Sequence, residues 1–289
     1  MKTCYVEKRF HGASLALIEK ANEIIETYKA DGYDLTLRQL YYQFVSRGII
    51  DNRQREYDRL GSVINDARLA GLVDWDSIVD RTREFEQLAH WDSPRDLVQA
   101  AAEQYRIDTR ETQEHYIEVW VEKDALASVI EHACKPLDVG FLSCRGYVSQ
   151  STMWASAERF KNKERSHTAH IIHLGDHDPS GIDMTRDIQE RMKMFESDVQ
   201  VERIALTMDQ VGEYNPPPNP AKITDSRYEI YANEYGDESW ELDALDPSIL
   251  NQLITAAVRK YTDEEERDSR INLQEEQRES LYKVTKKLK

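Results

Sequence analysis

The chain has little cysteine, no apolar run of membrane-spanning length and far fewer basic than acidic residues. Each shortage excludes something. Three cysteines, Cys4, Cys134 and Cys144, with no CxxC spacing, support neither a disulfide framework nor a cysteine zinc site, so buried free thiols are expected. The lack of a long apolar run and of a signal-peptide pattern at the N-terminus leads to the expectation of a soluble, cytoplasmic protein without membrane contact. P-loop, serine-hydrolase and GHKL-type ATP-binding patterns are missing as well. With 38 Lys and Arg against 54 Asp and Glu, the net charge of −16 argues against indiscriminate nucleic-acid binding, because phosphate contacts need local positive potential. The distribution permits a local exception. Much of the acid lies late, in "DEEERDS" (263–269) and "EEQRE" (275–279), whereas residues 38–68 carry Arg38, Arg47, Arg53, Arg55, Arg59 and Arg68.

What is present is organised in two styles. Near the N-terminus, Ser14 can cap a first helix that Gly32 ends. "TLRQ" (36–39) has the form of a capping box, and Leu37, Leu40, Tyr41, Phe44 and Val45 follow at helical spacing up to Gly48. A third helix is expected from about Arg53 to Ala70, with Leu60, Ile64 and Ala67 inward and arginines outward. Helix, glycine turn and arginine-rich helix together make a helix-turn-helix outline.

From His115 onward, strands alternate with helices. "YIEVWVE" leads to "DALASVIEHA"; "VGFLS" leads through "CRGY" to another helix; "AHIIHLG" leads through "DHDPSG" to a third; and "VQVERIALTM" is a further strand. Such alternation implies a parallel, Rossmann-like sheet whose functional loops lie at the carboxyl ends of its strands, where Glu122, Arg145 and Asp176 fall. "NPPPNPAK" (215–222) reads as a rigid extended linker, with Lys222 and Arg227 able to touch a polyanion, and the chain from "SWELDALDPSIL" onward reads as helical.

Glu122, Asp176 and Asp178 are the candidates for a metal centre. Magnesium favours carboxylate oxygens, and one acid on one strand end with an acid pair on a neighbouring end suits it; helix capping is the competing explanation for the pair. His170, His173 and His177 invite a zinc reading, but no cysteine completes a set; His177 between the two aspartates, read as partly exposed, can instead contact phosphate.

"VEKDA" (121–125), "RGYVSQSTMW" (145–154), "DHDPSG" (176–181) and "WELDAL" (240–245), in this order, resemble the Toprim domain of the topoisomerase VI A subunit and the related meiotic double-strand-break transesterases. "RQLYY" (38–42) resembles the winged-helix segment that carries that family's nucleophilic tyrosine. The resemblance implies an α/β protein. Residues 1–110 would form a helical, winged-helix-like DNA-binding domain, 111–235 a Toprim domain, and 236–289 a helical extension. It assigns the nucleophile to Tyr42 beside Arg38, and a magnesium or manganese ion to Glu122, Asp176 and Asp178. Helical geometry agrees on the tyrosine, since Tyr41 lies in the apolar stripe whereas Tyr42 shares a more exposed face with Arg38.

The expected function is metal-dependent cleavage of double-stranded DNA by tyrosyl transesterification, with rejoining a further step. Arg53, Arg55, Arg59, Arg145 and Lys222 are expected to contact DNA, and a nucleoid-associated location follows. A Toprim nuclease using metal-activated water is the alternative, and a DNA-binding accessory protein dependent on a partner is a third. The family also implies a homodimer in which one protomer's tyrosine meets its partner's acids, with an ATPase subunit as a further partner.

Overall fold

In the computed structural model, which describes residues 2–33, 35–79 and 88–286, helices come first and a parallel sheet follows. Helix α1 (Gly12–Ala30) begins two residues ahead of Ser14, because the His11 carbonyl already accepts the amides of Ser14 and Leu15. Helix α2 (Leu37–Ser46) starts on the expected capping box, with the Thr36 hydroxyl accepting the Gln39 amide at 3.2 Å and the Gln39 side chain accepting the Thr36 amide at 2.8 Å. Helix α3 (Gln54–Leu69) buries Leu60, Ile64 and Ala67. Helix α4 (Pro94–Gln104), capped by Ser93, lies outside the periodic segments recognised in the sequence. Leu35, just before α2, forms an isolated β-bridge to Ile78 beyond α3.

The α/β part runs β1 (His115–Val121), α5 (Ala127–Cys134), β2 (Gly140–Ser143), α6 (Gln150–Glu164), β3 (Thr168–Leu174), α7 (Pro179–Met194) and β4 (Gln200–Ala205). Its strands are all parallel in the order β2-β1-β3-β4. Strand β3 is buried almost throughout because both sheet faces are covered. On one face Val119, Val121, Ile172 and Leu174 pack in a core that continues into α1, α2 and α3; on the other, Trp120 and Ile171 join Met153, Phe160, Met184 and Ile188 from α6 and α7. The period-two alternation of β1 and β3 divides their side chains between these two cores.

Beyond β4 come α8 (Met208–Tyr214), the short strand β5 (Asn219–Pro220), α9 (Tyr228–Tyr235), strand β6 (Glu238–Ser239), α10 (Pro247–Arg259) and α11 (Glu264–Thr285). The proline-rich segment is therefore not a free linker. Asn219 and Pro220 pair antiparallel with β6, and Asn219 accepts a hydrogen bond from Asn52, which docks the segment onto the α2–α3 connection. Residues 240–246, expected to begin a helix, instead form an extended strap with one short 3-10 turn. Cys134 and Cys144 are buried free thiols as expected, whereas Cys4 is exposed. Among the described residues no helix is long and apolar enough to cross a membrane.

Candidate active site

The sheet order places β2 and β3 on opposite sides of β1, so the direction in which strands are added to the sheet reverses there, and β1 and β3 flank the switch point. The crevice at the carboxyl ends of two such strands is the usual ligand position of an open parallel sheet. Glu122 leaves the end of β1 here, and Gly175 to Asp178 leave the end of β3. Glu122 Oε2 accepts the Asp176 amide at 2.9 Å, binding one loop to the other. Two glycines make that approach possible. A Cβ on Gly181 would lie 2.2 Å from the Asp176 carbonyl oxygen, and one on Gly175 would lie 3.0 Å from Glu122 Oε2.

The two aspartates answer the question of capping differently. Asp178 is the N-cap of α7, its Oδ1 accepting the Gly181 amide at 2.6 Å and the Ser180 hydroxyl at 2.8 Å. Asp176 holds something positive. Its Oδ2 lies 2.9 Å from the Lys123 ammonium, and its Oδ1 accepts the Leu242 amide of the strap at 2.8 Å.

Lys123 is the hub of a wider network. Its Nζ also meets Glu241 Oε2 at 2.7 Å and Asp243 Oδ1 at 2.9 Å. Arg38, reaching from α2, binds Asp243 Oδ2 through Nε at 2.9 Å, pairs with Glu241, and donates to the Tyr42 hydroxyl at 3.4 Å. One continuous path thus joins Tyr42 to Asp176 within a single chain, through Arg38, the Glu241 and Asp243 carboxylates, and Lys123. Tyr42 and Asp176 are its two ends, and Glu122 joins beyond Asp176 through that residue's amide.

Charge sets the character of the site. Burial pushes Asp176 up to about 8; Lys123 opposes this, and the neighbouring Glu122 and Asp243 carboxylates add to it. Burial and the charge of Asp178 also raise Glu122. Burial acts in the same direction on Glu241, but Lys123 and Arg38 overcome it and hold that carboxyl down at about 2. Glu122, Asp176, Asp178, Glu241 and Asp243 face the cations Lys123, Arg38 and Arg203, so full ionisation leaves two negative charges uncompensated.

That excess, carried on hard oxygen donors, suits one divalent ion. Among the described residues, however, no three His, Cys, Asp or Glu side chains converge to hold a metal as they stand. Asp176 is engaged by Lys123, and Asp178 by its helix cap. Glu122, Asp176 and Asp178 carry the hard oxygen donors that magnesium or manganese prefers, but as they stand Asp176 answers Lys123 and Asp178 caps α7.

A pH test follows. Because Asp176 is raised above an unfolded value of about 4, the fold keeps its proton where the unfolded chain loses it, and stability falls as pH rises from about 4 through about 8. Asp176→Asn removes that term and leaves Glu241 and Asp243 to balance Lys123 and Arg38. Its Tm relative to the native chain is expected to climb between about pH 5 and about pH 8. A Tm difference that stays constant over this range would contradict the assignment.

Tyr42 corrects the sequence expectation. It is only 4% exposed, as buried as Tyr41, because the strap around Leu242 and Asp243 covers the face of α2 that a helical wheel leaves open. Tyr42 and Tyr41 both border a polar cavity of about 230 Å³ whose lining includes Arg38, Asn52, Arg53, Asn219 and Glu241. Burial, Asp243 and Glu241 raise the phenol well above its ordinary value, with Arg38 opposing.

The residues expected to contact DNA divide. Arg53 lines the Tyr42 cavity and is otherwise exposed, pairing with Asp51 at 3.5 Å. Arg55 and Arg59 are exposed farther along α3, Arg59 beside Glu56. Lys222 is exposed three residues past Asn219, and exposed Arg145 follows β2, its Nε 3.2 Å from Asp124.

The histidines separate as well. His170 pairs with His115, His173 with Thr185, and His177 with Tyr231, so they share no zinc. His177, expected to be partly exposed and able to meet phosphate, is buried under Trp240 and Tyr235.

Sequence reasoning assigned no role to Lys123, Glu241, Asp243 or Arg203. The alternating acids of "WELDAL" were a usable signal for two of these, since they repeat the spacing of Asp176 and Asp178. Neither a scan against protein-family models nor a search of curated protein sequences finds a match to this chain.

Proposed function

We propose that this protein cleaves double-stranded DNA by transesterification at Tyr42, with Glu122, Asp176 and Asp178 as the site of a magnesium or manganese ion. The observation that carries the reading is the Tyr42 cavity, where a phenol, two guanidinium groups and a carboxylate meet at one end of an ion-pair network whose other end is the acid loop. Arg38 and Arg53 are suited to grip a phosphodiester. The Tyr42 oxygen attacks phosphorus, the bond to the 3′-oxygen breaks, and a 5′-phosphotyrosyl link forms. Glu241, on the same cavity wall, is the carboxylate placed to take the phenol proton. In the free protein burial and the neighbouring carboxylates hold the phenol protonated against the pull of Arg38, and a phosphate that draws Arg38 off Glu241 makes that carboxylate the stronger base. Glu122, Asp176 and Asp178 would hold the divalent ion, which would supply Lewis-acid polarisation of the phosphodiester.

The burial of Tyr42 favours a second reading, hydrolysis by water at the acid loop with Tyr42 only lining the groove. Supercoiled plasmid incubated with the protein and magnesium or manganese tests the shared part of both readings. Nicked and linear products are expected, and none from Glu122→Gln. Equal cleavage by that variant would remove the acid loop from the reaction.

DNA contact is tested separately. Reversing the charges of Arg53, Arg55 and Arg59 removes about three phosphate contacts, which should flatten the log–log salt dependence of duplex binding by about 3. An unchanged slope would put the DNA elsewhere. The two-fold dimer and a separate ATPase subunit belong to this proposal through the family resemblance. If active centres are shared between protomers, a mixed dimer of Tyr42→Phe and Glu122→Gln recovers one complete centre and nicks DNA. A silent mixed dimer would assign each centre to one chain.

A further inference from the structure

Beneath the acid loop lies a partly buried cation, Arg203, that the proposed chemistry does not use. The register of β3 against β4 shifts after the pair His173 and Arg203, an irregularity of the kind that re-aims a side chain. Arg203 points along the strand ends, and its guanidinium gathers backbone carbonyls from three separate segments. Nη2 donates to Gly175 at 2.9 Å and to Asp176 at 2.6 Å in the loop after β3. Nη1 donates to Gly181 at 2.8 Å in the first turn of α7, and to the Thr185 hydroxyl at 3.2 Å. Nε and Nη2 reach the Leu206 carbonyl just past β4, at 3.4 and 3.3 Å. Gly181 and Asp176 are the same two residues whose close approach forbids a Cβ at position 181.

We propose that Arg203 is the positioning residue of the acid site: its planar fork fixes the Asp176–Gly181 loop against Glu122 while its fixed charge faces the acids from below. The assignment deepens the cleavage reading and rests on it for its catalytic consequence. Geometry makes arginine necessary here. The carbonyls lie on different sides of the guanidinium, and five donors in one rigid plane can serve them together. Lysine brings the same charge as a single point with three donors, which cannot span Gly175, Gly181 and Leu206 at once.

Two measurements on the full chain separate this role from others. Hydrogen exchange compares native protein with Arg203→Lys and Arg203→Gln. Exchange of the amides of Asp176, Gly181 and Ile182 is expected to quicken at least about tenfold in both variants, while amides of β1 and α10 keep their protection. Unchanged exchange at these three amides, or equal acceleration throughout the fold, would overturn the proposal, the second outcome marking a merely structural residue. On plasmid DNA, both variants are expected to lose kcat by about tenfold or more with KM unchanged. Full rescue by Arg203→Lys would overturn the fork in favour of charge alone. Native protein that cleaves no DNA would count against the cleavage reading, and the exchange data would still decide whether Arg203 fixes the loop.

Discussion

Tyr42→Phe is expected to lower DNA strand cleavage by about a thousandfold or more, as loss of a nucleophile does, while duplex affinity stays within about twofold. The contrast follows from what the hydroxyl touches. Its hydrogen bond from Arg38 is 3.4 Å long, near the limit of such bonds, so its removal should cost no more than about 1 kcal/mol of stability. Phenylalanine preserves the edge-on packing of the ring against Tyr41, whose centroid is 5.2 Å away. A variant that is folded, binds DNA and is inert would separate chemistry from structure. Cleavage at the native rate by Tyr42→Phe would instead establish hydrolysis at the acid loop.

The largest effect on stability is expected at Lys123. Lys123→Met deletes the one ammonium shared by Asp176, Glu241 and Asp243, and leaves buried carboxylates facing one another with only Arg38 between two of them. Breaking a buried ion-pair cluster from one side typically costs about 3–5 kcal/mol. Urea unfolding should show a loss of that order. Because the deletion also clears Asp176 Oδ2, magnesium should restore more stability to the variant than it adds to the native chain; an ion at a hundred times its Kd contributes about 2.7 kcal/mol. A loss below about 1 kcal/mol would mean that the network is solvated and energetically slack. Equal magnesium responses in both proteins would mean that Lys123 and the ion do not compete for Asp176.

How much of this was legible in the sequence depends on the distance over which each signal acts. The capping box at Thr36, the inward face of α3 and the strands ending at Glu122 and Gly175 were readable because periodicity and capping are local. Tyr42 was misread for the same reason. A helical wheel reports which side of α2 faces its own helical neighbours, and here a strap some two hundred residues later covers the other side. The proline-rich segment was taken for a linker because its partners, Asn52 and β6, are remote in sequence or only two residues long. Lys123 looked like an ordinary residue after a strand, since nothing near it announces three carboxylates from distant segments. Arg203 sits in a strand whose pattern gives no sign of a register shift. The strand-end positions of Glu122, Asp176 and Asp178 are readable from the sequence, whereas Glu241 and Asp243, and the cations Lys123 and Arg203 that meet the acids, come together only in the fold.

A covalent bond between Tyr42 and DNA distinguishes transesterification from hydrolysis, and it can be looked for directly. Duplex DNA labelled at either strand terminus is incubated with native protein and magnesium or manganese, denatured, and resolved before and after proteolysis. Label is expected to migrate with denatured protein only when it lies on the 3′ side of the break, and a peptide containing residues 38–42 should carry a 5′-phosphate linkage on Tyr42. Broken DNA with free 5′-phosphate ends and no protein attached would contradict transesterification.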